Sequence, residues 1–304
     1  MEANQFDVVI VGGGPGGLAA SCALGRARRR VLLVDSGPPR NAKAVEIHNF
    51  VTRDGIAPAD FRRIGREQLV PYTTVDVRDA RVDEITRTKD AFEVRIGGDV
   101  VVAKRILLAT GMIDEMLPIE GFDALWGSSI YQCPYCHGWE VRDRPFAFLP
   151  KAPAMLDFAI MLRNWTPDVT VVTNGAFPIP EDAAARLAQA KIPVDERRIA
   201  RLVGTEGHIQ HIEFTTDASL PLAALFTHPP QRHVPVVAKL DLELDPMGFV
   251  KVTEPSKETS RPGIHAAGDL MTMMQGAILA AANGTIAGSF INHELSLAPF
   301  ITAH

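Results

Sequence analysis

The chain has 304 residues, 46% of them hydrophobic, with a formal net charge of -5. That is enough for two ordinary domains with buried cores, and with no basic block or aromatic-basic stripe it excludes nucleic acid and anionic membranes as expected partners. No apolar run reaches about 18 residues, so no transmembrane span is expected. MEANQFDVVIVGGG lacks a basic region followed by an apolar stretch and a cleavage site, so a cytoplasmic location is expected.

FDVVIV (6–11) reads as a β-branched strand, and it runs into Gly12, Gly14 and Gly17, which complete G-x-G-x-x-G before a helical stretch to about Arg28. VLLVD (31–35) is the next strand, ending in Asp35, 18 residues after Gly17. In such a βαβ unit the first glycine permits the sharp turn, the second lets a pyrophosphate approach the backbone, and the third lets helix pack on strand. Asp35 stands where an acid binds an adenosine ribose. A dinucleotide cofactor is expected.

ARVDEITRT, AFEVRI and DVVVAKRILLATG (80–111) follow as short alternating strands and deliver the chain to Thr110 and Gly111, a second turn toward the cofactor. PFAFLPKAP, the helix-like MLDFAIMLRNW and the strand-like DVTVVTNG form another βαβ unit at 145–175. RPGIHAAGD (261–269) is a short strand ending in Gly268-Asp269, and Gln275 to Asn292 a helix rich in Ala and Gly. The expected class is α/β, with two Rossmann-like nucleotide-binding folds, the second inserted into the first. Residues 1–114 and 245–304 make the split outer domain and 115–244 the insert.

CPYCH (133–137) has the spacing of a covalent haem attachment, of a redox dithiol and of part of a zinc site. Only Cys22, Cys133 and Cys136 are available, and Cys22 lies in a different motif, so four-ligand zinc is not expected and no metal is assigned. Haem attachment requires export, which is not indicated. In a reducing compartment a CxxC beside α/β patterning is usually catalytic.

GGGPGG, the ATG at 109–111, LWGSSIYQCPYCHG (125–138) and SRPGIHAAGD (260–269), in this order, resemble the low-molecular-weight thioredoxin reductase family of FAD enzymes. The resemblance implies FAD, a homodimer, and a ribitol held by Asp269 beside Gly268. It puts the start of the last helix, around Gly276 and Ala277, at the flavin pyrimidine edge, where a helix N-terminus favours negative charge on reduced flavin. Asn49 joins the implied cofactor contacts. Cys133 is implied to be the interchange cysteine and Cys136 the one beside the flavin.

Two departures narrow the resemblance. His137 stands where the family has an acid, and a histidine of near-neutral pKa suits proton transfer between thiols. Phe148-Leu149-Pro150-Lys151-Ala152-Pro153-Ala154 replaces the Gly-rich turn of an NADPH site, and Thr173-Asn174-Gly175 stands where paired arginines grip the 2′-phosphate. With CPYCHGWE, these features resemble the dithiol oxidases that close the disulfide of gliotoxin, holomycin and romidepsin. That resemblance implies an FAD-dependent oxidase of a small-molecule dithiol, with O2 as final acceptor by elimination. The alternative is an NAD(P)H-dependent protein disulfide reductase.

Overall fold

Gln5–Val11 (β1) pairs in parallel with Val31–Asp35 (β2) and with Asp99–Leu108 (β3), and all five residues of β2 are buried. Continuous β-branched runs of this kind form strands covered on both faces. The computed structural model, which describes residues 4–300, extends the parallel sheet through Val75–Asp79 beside β2 and Ile264–Ala266 beside β3. The antiparallel hairpin Val82–Arg87 and Phe92–Ile96 adds to the first half of β3. The helix Pro15–Arg26 (α1) follows the glycine turn, with Gly14 as its N-cap and Pro15 in its first turn, where the missing N–H costs nothing. The last helix, Ala277–Leu297, lies against α1.

The contacts divide the chain into two units: Met1–Ala42, Ile56–Ile113 and Arg232–His304 in one, Lys43–Gly55 and Asp114–Gln231 in the other. The sequence reading put the joints near 114 and 245. The second joint falls earlier because Val236, Val237, Leu240, Phe249 and Val250 share the buried core of β1 and β3.

The second unit has a five-stranded parallel sheet in the spatial order Val194–Asp195, Val169–Val172, Phe146–Leu149, Ala224–Thr227, Ile130–Tyr131. Ile199–Thr205, His208–Phe214 and Ser219–Pro221 form a separate antiparallel sheet. Phe146, Phe148 and Phe226 are fully buried in its core. Among the described residues no helix is long and apolar enough to cross a membrane.

Candidate active site

The glycine turn has the shape its sequence predicts. Gly12 has φ +111°, and a Cβ there would lie 2.3 Å from the Ala109 carbonyl oxygen. At Gly17 a Cβ would lie 1.9 Å from the Gly12 oxygen, so only glycine lets α1 close on the turn. At Gly14, Gly111 and Gly276, by contrast, a Cβ would meet nothing within 4 Å. These three positions line open space at the ends of β1 and β3 and at the start of the last helix, which fits a dinucleotide approaching bare backbone. Thr110 turns its hydroxyl onto the Gly111 carbonyl at 3.2 Å.

Asp35 ends β2, nearly buried, with its carboxylate against Gly13. It accepts hydrogen bonds from Arg62 and from Arg66 Nη2, the latter at 2.9 Å. Both arginines lie on the helix Pro58–Glu67, and the sequence reading missed them. The signal was present in FRRIGRE, where Arg62 and Arg66 stand four apart on one helix face.

Gly268, at φ +87°, turns the chain into Asp269, which meets Arg40 Nη1 at 3.2 Å. The same nitrogen donates to Gln275 Oε1 at 2.5 Å. Gly276 caps the 21-residue last helix, whose first amides, from Ala277 on, have no intrahelical acceptor. The structure thus gathers Gly12, Gly14, Gly17, Asp35, Thr110, Gly111, Gly268, Asp269, Gly276 and Ala277 in the first unit. Asn49 belongs to the second unit instead. There its φ is +61° and its N–H donates to Asp54 Oδ1 at 2.7 Å.

Cys133 caps the four-residue helix Pro134–His137, and its Sγ accepts a hydrogen bond from Cys136 Sγ at 2.7 Å, the two being thiols and not a disulfide. The Cys136 side chain, then the N–H groups of Cys136 and Tyr135, hold the Cys133 thiol below its ordinary pKa against the opposing effect of burial. The structure therefore gives Cys133 the stabilised thiolate.

His137 departs from the sequence reading. Its ring stacks on Tyr131, with centroids 4.5 Å apart and planes inclined by 8°, and neither ring nitrogen has a hydrogen-bond partner. Burial, with a smaller effect of nearby His48, pushes its pKa down to about 4. The expected near-neutral value fails because a stacked, enclosed imidazole cannot hydrate its charged form.

His48 was not foreseen. Its Nε2 lies 3.2 Å from Glu46 and 3.4 Å from Glu140, and its Nδ1 3.4 Å from Asp54. Glu140 follows His137 by three residues, so the segment around His48 is tied to the redox motif.

The second strand-turn-helix differs from the first. Phe146–Leu149 leads through a 3₁₀ turn at Pro153–Met155 to a helix of only five residues, Phe158–Leu162, preceded by Asp157. Phe158 packs on Phe148 with centroids 5.0 Å apart and meets the His228 edge at 5.1 Å. After Val169–Val172, Asn174 Oδ1 accepts the Ile199 N–H at 2.7 Å. Arg198, exposed, is the cation beside that turn, its Cγ 3.7 Å from where a Gly175 Cβ would stand.

A chain with two such nucleotide folds and a CxxC pair has the architecture of a disulfide oxidoreductase, and it belongs to the pyridine nucleotide-disulphide oxidoreductase family, which it matches over residues 6–284. Within that family it is thioredoxin reductase-like. It is 32% identical over 317 residues to thioredoxin reductase aclD of Aspergillus oryzae, covering 97% of this chain and 98% of that one. The solved oxidoreductase from Agrobacterium tumefaciens is similar at 36% identity and TM-score 0.90, over 96% of this chain and 99% of that one. The structure of HlmI is similar at 32% identity and TM-score 0.92, over 99% and 95%.

Proposed function

We propose that this chain is an FAD-dependent dithiol oxidase that closes an intramolecular disulfide in a small molecule and works without NADPH. The observation that carries the reading is the second turn. Pro150 and Pro153 supply no N–H, and the helix after them has only five residues. A pyrophosphate needs converging N–H groups and positive potential there. With no nicotinamide donor, electrons enter from a thiol.

In the reaction, one substrate thiolate attacks Cys133 Sγ of the Cys133–Cys136 disulfide, the bridge breaks and Cys136 leaves as thiolate. The second substrate thiol gives up its proton and attacks the substrate sulfur of the mixed disulfide. Cys133 then leaves as a thiolate, to which the N–H groups of Cys136 and Tyr135 donate. His137, neutral at pH 7 and with unpartnered nitrogens, takes that proton. FAD, when bound by the first unit, supplies the two-electron relay from the cysteine pair to O2. One dithiol and one O2 thus give one disulfide and one H2O2, with two electrons and two protons transferred. A homodimer in the cytoplasm completes the reading.

A small-molecule dithiol should drive stoichiometric O2 uptake and H2O2 release, while Cys133→Ser and Cys136→Ser should each abolish turnover and keep FAD. Multiple turnovers by either variant would remove the pair from the mechanism. A second reading, an NADPH-dependent reductase of a protein disulfide, draws on Arg198 beside the turn after Val169–Val172.

A further inference from the structure

We propose that Arg40 is the fixed positive charge of the flavin site, placed to stabilise the negative charge a flavin gains on reduction. The proposal rests on the FAD part of the reading above.

Arg40 lies in SGPPRNA, the loop that leaves β2 after Asp35. Its guanidinium reaches across the first unit to the two groups that bracket the turn before the last helix. Nη1 donates to Asp269 Oδ2 at 3.2 Å and to Gln275 Oε1 at 2.5 Å, and Gln275 Nε2 returns to the Asp269 carbonyl at 3.2 Å. The Arg40 and Asp269 side chains are 22% and 23% exposed, so the pair is neither fully screened by water nor sealed from a ligand.

Charge balance gives the arrangement its purpose. Asp269 alone would leave an uncompensated negative charge just ahead of the last helix. Arg40 neutralises it, and the amides at Ala277, Ile278 and Leu279 then leave the site net positive through the helix N-terminus. A pure packing role would not require a cation between a carboxylate and an amide. At Gly276, next in sequence to Gln275, a Cβ would meet nothing within 4 Å. Preorganised charge facing developing charge is the most effective electrostatic arrangement a site can have.

The test uses sulfite, which adds to oxidised flavin and places a negative charge on it, together with the two-electron midpoint potential of the holoprotein. Neither readout involves dithiol, NADPH or turnover. Arg40→Gln keeps hydrogen-bonding capacity and loses the charge. It should weaken sulfite binding by on the order of tenfold or more, and a tenfold change in the flavin's own reduction equilibrium lowers the potential by ~30 mV. Arg40→Lys keeps the charge and should stay within about threefold of wild type. Wild-type sulfite affinity and potential in Arg40→Gln would overturn the proposal and leave Arg40 as a loop bracket. Should Arg40→Gln lose FAD, Arg40→Lys decides. A charge role lets the lysine variant keep FAD and its potential, whereas a bracket that needs the guanidinium fork loses FAD there too, overturning the proposal. Rapid reduction of wild type by NADPH would sink the oxidase reading and leave Arg40 untouched. A chain that takes up no FAD overturns both.

Discussion

His137 brings two forces into conflict at one ring. Stacking on Tyr131 and burial favour the neutral imidazole, yet two buried nitrogens without partners are costly unless something uses them. The proposed role as proton acceptor would give those nitrogens a use. His137→Phe keeps an aromatic ring against Tyr131 and removes both nitrogens. It should slow dithiol oxidation at pH 7 by about tenfold to a hundredfold, as His137→Ala should. A phenylalanine variant at wild-type rate would make the ring packing alone. The same variant has a stability signature with a definite sign. Because the folded pKa is about 4 and the unfolded value about 6.5, the unfolded chain binds the extra proton between those limits. Stability is then full above pH 6.5 and falls by roughly 3 kcal/mol as pH drops to 4. Denaturant melts of His137→Phe should show a correspondingly shallower acid limb, and an identical limb would contradict the buried, neutral assignment.

Among the elements, the contact between α1 and the last helix is a close backbone approach in the first unit. A Cβ at Gly284 would lie 2.0 Å from the Gly16 oxygen and one at Gly288 3.2 Å from the Ala20 oxygen. Those oxygens belong to backbone and cannot swing away. Gly284→Ala should therefore cost about 1–3 kcal/mol despite alanine's better helix propensity. Thermal melts measure this, and an unchanged or raised Tm would show that the helices have room to part. The first βαβ unit was legible because its signals are local: β-branched strands, three glycines and an acid at the strand end. The Ala- and Gly-rich last helix was legible too, but its partner was not, because composition does not say which backbone a glycine must admit. The same limit hid Arg40 and His48. Each acts through a residue far away in sequence, Asp269 for Arg40 and Glu140 for His48. The His137 environment was invisible for a related reason, since burial depends on tertiary packing around Tyr131. Asn49 shows the converse, a residue carried by resemblance whose segment, 43–55, the contacts group with the redox unit.

At the scale of the whole molecule, one chain carries two nucleotide folds of unequal quality. The first has a glycine turn with open backbone, a 12-residue helix behind it and an acid at the next strand. In the second, Phe158 packs onto Phe148 and the helix after the turn has only five residues. Losing two charge-assisted contacts to a 2′-phosphate weakens binding on the order of a hundredfold to ten-thousandfold, and Arg198 restores at most one. On the proposed reading, electrons then enter through the Cys133–Cys136 pair. The most direct test is anaerobic stopped-flow absorbance of the holoprotein, mixed in one syringe with millimolar NADPH and in another with a small-molecule dithiol. The dithiol should bleach the flavin rapidly while NADPH leaves it oxidised over the same interval. Fast bleaching by NADPH, with slow or no bleaching by the dithiol, would contradict the oxidase account and make the chain a reductase.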